Sequence, residues 1–166
     1  MTSSSLRAVA LGLALVGASM HLSVHAALGA LHVAPVSAAN SPGTMPSAAQ
    51  VAQRSVAVMP RYTVHATQQP DGSRVQELVA GNGVVFAVRW NTLYKPDLSA
   101  LLGNSFPAYA DAARRAAQRG GIQRQFRLDA TDLVVHSTGH LHTFAGYAYV
   151  RSLLPFGVTP QTLGWE

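Results

Sequence analysis

The sequence predicts an α+β domain: an antiparallel sheet of about six strands, ordered as three strands, two helices and three strands, with the helices packed on one face. Three observations predict it. Short runs rich in β-branched and aromatic residues, several alternating with period two, recur from residue 61 to residue 150. Their connections are brief and carry Gly, Pro or Asp, which favours antiparallel neighbours. In the middle, apolar residues switch to helical spacing.

The elements follow in order. "RYTVHAT" places Tyr62, Val64 and Ala66 on one face and Arg61, Thr63, His65 and Thr67 on the other. "QQPDG" is a turn, because Pro presets φ and Gly accepts a left-handed bend. "SRVQELVA" and "VVFAVRW" are the second and third strands, joined at Gly81-Asn82-Gly83. A three-residue loop with Gly83 left-handed sets Ala80 against Val84, Leu78 against Phe86 and Gln76 against Val88. That register gathers Leu78, Ala80, Val84, Phe86, Val88 and Trp90 on one face and leaves Glu77 near Arg89 as a surface pair. A two-residue loop would bury the Glu77 carboxylate instead. No lysine lies near these glycines and a strand follows them, so they bend the chain and do not cradle phosphate. Asp97 caps a short helix carrying Leu98, Leu101 and Leu102 and closed by Gly103. Ser105 is positioned to cap a second helix with Phe106, Tyr109, Ala110, Ala113 and Ala117 on its apolar stripe, and Asp111 supports Arg115. "IQRQFRL", "DLVVHST" and "LHTFAGYAYV" complete the strands.

Upstream the texture differs. Residues 1–26 have a short polar start with Arg7, an uncharged apolar run from Ala8 to Leu22, and a close on Val24-His25-Ala26. This is the pattern of a signal peptide cleaved after Ala26, and the run is too short and too rich in Ala and Gly for a spanning anchor. Residues 27–58 are dominated by Ala, Ser, Pro, Gly and Val with Arg54 as the single charge, the composition of a disordered leader. Only Ala48–Val58 offers a short helix. The domain itself is expected at 59–166. The 166 residues include no cysteine, so an exported chain must hold its core by packing alone. These features predict a periplasmic or secreted protein with no stable membrane insertion after cleavage.

The segments "GVVFAVRW", "PDLSALLGNSFPAY", "DLVVHSTGHLHTFAGYAYV" and "LLPFGV" resemble, in this order, an uncharacterised proteobacterial exported family, domain of unknown function 2844. The resemblance implies an exported protein of about this size, and it brings no catalytic residue to carry over. It also implies a Gly-His at Gly139-His140 and commonly an arginine where this chain has His142.

Two constellations can carry chemistry. His136, His140 and His142 lie around a predicted turn at Ser137-Thr138-Gly139, where a left-handed Gly139 would set His136 opposite His140 with His142 on the same face. Three imidazoles so placed can bind Zn, Cu or Ni. The same residues also read as polar positions on an exposed strand near a hairpin tip. Arg114, Arg115, Arg119, Arg124 and Arg127 surround the end of the second helix and the next strand, and can meet an anionic envelope polymer or an acidic envelope protein. They read equally as a solvated face that keeps the protein soluble. With 12 Lys+Arg against 7 Asp+Glu the formal charge is +5, and all but Lys95 of the cations are arginine. Nucleic acid is not expected, because aromatic residues do not interleave the basic ones. The absence of cysteine and of a Gly-x-Ser-x-Gly elbow, and the scarcity of acids, argue against an enzyme. The aromatics Trp90, Tyr94, Phe144, Tyr147 and Tyr149 suit a groove or a core. The sequence thus predicts a cofactor-free, non-catalytic binding or structural domain of the envelope, with a histidine-based metal-binding protein and an unrecognised hydrolase as alternatives.

Overall fold

Seven strands make one antiparallel sheet in the computed structural model, which describes residues 27–32, 53–120 and 124–165. In chain order they are β1 (Gln53–Val58), β2 (Tyr62–Gln68), β3 (Arg74–Ala80), β4 (Val85–Thr92), β5 (Gln125–Asp129), β6 (Leu133–His140) and β7 (Thr143–Val150). Their order in the sheet is β1-β2-β3-β4-β7-β6-β5. Two meanders therefore meet at β4 and β7. Between them the chain leaves the middle of the sheet through α1 (Leu98–Leu102) and α2 (Phe106–Gln118) and re-enters at the far edge as β5. The expected signal segment, residues 1–26, lies outside the described residues. Among those described, no helix is long and apolar enough to cross a membrane.

This corrects the expected architecture of about six strands beneath two packed helices. The additional strand, β1, is exposed at every residue and pairs with β2 along its whole length. Its sequence, "QRSVAV", carries no burial signal, because backbone pairing to a free edge holds it there. Of the helix expected at 48–58, Gln53–Val58 is this strand, and 48–52 lie outside the described residues. Of the two expected helices, only α2 is sustained. The first is a five-residue turn that runs through a 3-10 turn into α2. Asp97 does cap that turn, its Oδ1 accepting from the N–H of Ser99 at 2.9 Å and of Ala100 at 3.2 Å. Ser105 makes no side-chain cap, and α2 buries none of its residues fully. An alanine-rich stripe removes too little apolar area from water to seat a whole helix. Contact is made through Phe106 and Tyr109, the latter edge-on to Phe126 of β5 at 5.2 Å.

The sheet is covered on both faces. On the helix face, Val79, Val85, Val88, Trp90, Leu133, Val135, Ala148 and Val150 pack beneath Leu98, Leu101 and Leu102. On the opposite face, Leu78, Phe86, Ala87, Val134 and Tyr149 are covered by Val158 and Trp165 of the C-terminal tail. The Gly81-Asn82-Gly83 loop is the expected three-residue bend: Gly83 has φ +83° and donates to the Ala80 carbonyl at 2.8 Å. The register beyond it differs. Val79 pairs with Val85 but Leu78 pairs with Ala87, so Phe86 is an extra residue, a β-bulge. The bulge reverses the alternation of β4. Phe86 faces the tail, while Val88 and Trp90 face the helices. Glu77, now opposite Val88, turns to the helix face, and Arg89 to the other. The expected Glu77–Arg89 surface pair does not form.

Part of the stretch expected as a leader belongs to the core. Leu28 is only 1% exposed. Its N–H donates to the Leu101 carbonyl, Gly29 donates to Val85, Val85 to Ala30, and His32 to Gly83, all at 2.8–3.0 Å. Gly103, at φ +49°, leaves room for this segment, since a Cβ there would stand 2.4 Å from that of Ala27. Leu28→Ala is expected to cost about 2–5 kcal/mol, the range for a leucine lost from a core. Urea unfolding monitored by tryptophan fluorescence measures it. A change below about 0.5 kcal/mol, as for a surface site, would count against the packed segment.

Candidate functional site

The hairpin between β6 and β7 decides where the histidines lie. It turns at Leu141 and His142, with φ of 26° and 58°, and not at 137–139. Gly139 stays in the strand because the Phe144 ring lies over it; a Cβ there would meet Phe144 Cδ1 at 3.0 Å. His136 is consequently opposite Tyr147, and His140 opposite Thr143. His136 and His140 share a face but stand four residues apart along β6, roughly 13 Å. His142 sits exposed in the turn. His136 is instead engaged locally, its Nε2 2.7 Å from Gln125 Nε2 and its ring edge-on to Tyr147 at 5.4 Å. Among the described residues, no three His, Cys, Asp or Glu side chains converge as a metal site.

The five arginines are also separated. Arg114, Arg115 and Arg119 are exposed on or just beyond α2, and Arg114 pairs with Asp111 at 2.9 Å, where Arg115 was the expected partner. Arg124 precedes β5. Arg127 points to the tail face, across the sheet from α2, because Leu128 and Phe126 take the helix face.

On the tail face the two meanders align a row that no local pattern announces. Gln76, Arg89, Tyr147, His136 and Arg127 are consecutive cross-strand neighbours on β3, β4, β7, β6 and β5. Arg89 and Arg127 are three strand spacings apart, roughly 14 Å. The next row holds Arg74, Asn91, Thr138 and Gln125. The three arginines are exposed. No described Asp or Glu occupies either row. Asp129, two residues from Arg127 and on the same face of β5, lies in the row above and is paired with Arg151. Tyr147 stacks on Trp165 of the tail at 4.9 Å and 16°.

A second cluster lies on the helix face. Glu77 is 6% exposed, and its Oε2 lies 3.0 Å from His32 Nδ1. An ionised carboxylate only accepts, so the His32 proton sits on Nδ1. His65, opposite Glu77 on β2, packs its ring on His32 with centroids 3.9 Å apart. One signal for this burial was present: Val75, Glu77 and Val79 share parity on β3. The partner, 45 residues away, left none.

Residues 24–163, which include the 27–32 segment and all seven strands, match the model of a family described as a protein of unknown function, DUF2844. The chain belongs to that family. No curated protein and no solved structure matches it. What this DUF2844 member can do must therefore come from its own surfaces: a cationic, partly aromatic half-face and a cluster of the buried Glu77 with the half-buried His32 and His65.

The cluster makes stability pH-dependent. Burial lowers the pKa of His32 below the ordinary 6.5, as does the neighbouring His65, and burial lowers that of His65. Among the described residues, the His32 and His65 rings face each other, Glu77 lies opposite His65 on β3, and Arg54 of β1 is on the same face one row further along. On acidification the unfolded chain takes up these protons first. The contribution is thus full above the unfolded value of 6.5 and is lost as the pH falls through the folded values. The thermal midpoint is expected to drop between about pH 7 and about pH 5, and His65→Gln to flatten part of that drop. A midpoint rising on acidification would contradict this.

Proposed function

We propose that this chain is an exported, non-catalytic binding domain that engages an anionic polymer of the bacterial envelope through the open half of its tail face. The observation that supports this most directly is the placement of Arg74, Arg89 and Arg127 around Tyr147 and His136, with no described carboxylate in their rows. Like charges on one flat face raise the local concentration of a polyanion. Guanidinium groups add planar, paired donors for carboxylate, sulfate or phosphate. An extended sheet suits a long ligand better than a compact one, since neighbours within a row repeat at the strand spacing. Export rests on the charge, apolar run and Val24-His25-Ala26 close of residues 1–26.

The test is retention on immobilised polygalacturonate over a salt gradient. At about 0.5 kcal/mol per exposed arginine, replacing Arg74, Arg89 and Arg127 by Ala is expected to weaken binding roughly tenfold. Replacing Arg114, Arg115 and Arg119 is expected to change it little. Equal loss in both variants would reduce the effect to net charge, and loss only in the second would move the site to α2; either result overturns the proposal.

A further inference from the structure

Across the sheet from that face, α2 does not lie flat. A cleft of about 310 Å³ opens between it and the β5–β7 half of the sheet. Its floor is formed by Phe126, Ser137 and Phe144, which share the helix face of three adjacent strands. Gly139 makes this floor possible, because any side chain there would push against the Phe144 ring. Tyr109 and Ala113, one turn apart on α2, form the roof. Lys95, from the loop after β4, and Arg124, from the entry to β5, also line it. Lys95 is the single lysine of the chain. Neither cation is in an ion pair among the described residues, and no carboxylate lines the cleft.

We propose that this cleft binds a small amphipathic anion: one carboxylate on a single ring or short alkyl chain. The apolar body would rest on Phe144 beside the touching Tyr109 and Phe126 rings, and the carboxylate would lie between Lys95 and Arg124. Small-ligand sites span about 300–1,000 Å³, so this one, at the lower end, takes a single ring or chain and excludes a two-chain lipid. Two cations without a counter-charge set the sign of the head group. The Ser137 hydroxyl adds one hydrogen-bonding group on the floor. Burial raises the Tyr109 phenol, which therefore stays protonated as a further donor at neutral pH. The site is independent of the polyanion face, from which the sheet itself separates it.

Isothermal titration of the full chain with octanoate, octan-1-ol and octylamine at one ionic strength tests the proposal. Octanoate is expected to bind about tenfold more tightly than octan-1-ol, and octylamine more weakly than either. Lys95→Gln combined with Arg124→Gln, both at the surface, is expected to remove the preference for octanoate while leaving the thermal midpoint unchanged. Ala113→Phe, which fills the roof, is expected to weaken octanoate and octanol together. The Arg74, Arg89 and Arg127 variant is expected to bind octanoate as the parent does, so failure here and failure of the polyanion reading are told apart. No heat with octanoate, equal affinity for octanoate and octanol, or unchanged binding by the Lys95/Arg124 variant would overturn the assignment.

Discussion

The pairing of β4 with β7 holds the fold together, and at its centre one side chain permits it. The Trp90 indole, 1% exposed, lies against Gly146 of β7, where a Cβ would stand 2.4 Å from Trp90 Cζ2 and from the His136 carbonyl. Only a residue without a side chain lets the largest group of the core sit flat on the neighbouring strand. Without that contact the N-terminal meander and the C-terminal hairpins would be separate small sheets, each with too little apolar area to stand alone. The indole is buried deeply enough that its Nε1 finds no hydrogen-bond partner among the described residues. An unmade hydrogen bond costs about 1–3 kcal/mol, and full burial of a large aromatic ring returns a comparable amount or more.

Both candidate surfaces follow from that join. The tail-face row crosses from Arg89 to Arg127 only because β7 stands between β4 and β6. The helix-face cleft exists because the chain must travel from β4, in the middle of the sheet, to β5 at its edge. The connection spans the β5–β7 half of the sheet, and an alanine-rich helix does not fill the space beneath it. Covering is uneven on the other face as well: Val158 and Trp165 of the tail pack on Leu78, Phe86 and Tyr149, while Arg74, Arg89 and Arg127 are exposed. Charge is thereby concentrated where packing stops.

The bulge at Phe86 has the widest consequences for a single residue. By reversing the alternation of β4 it divides what would have been one apolar stripe between two cores. It also commits Glu77 to the interior and Arg89 to the surface. A buried carboxylate needs a partner. The chain supplies His32 from a segment that also hydrogen-bonds to Gly83 and Val85, so the bend, the bulge and the N-terminal segment form one unit.

Local chemistry determined much of this protein in the sequence alone. Six of the seven strands, the bend at Gly83 and the Asp97 cap are legible, because side-chain period, left-handed glycine and capping act within a few residues. Family membership is legible too, from four ordered segments. What tertiary structure decided is whatever depends on a partner distant in the chain. β1 exists because β2 has a free edge. Glu77 is buried because His32 reaches it. Val88 and Trp90 share a core with Val85 because Phe86 is extra. The histidines are kept apart by two residues at the 141–142 turn, which moves the whole hairpin register. A strand pattern repeats every two residues, so one inserted or displaced position exchanges inside for outside, and only the neighbouring strand selects the outcome.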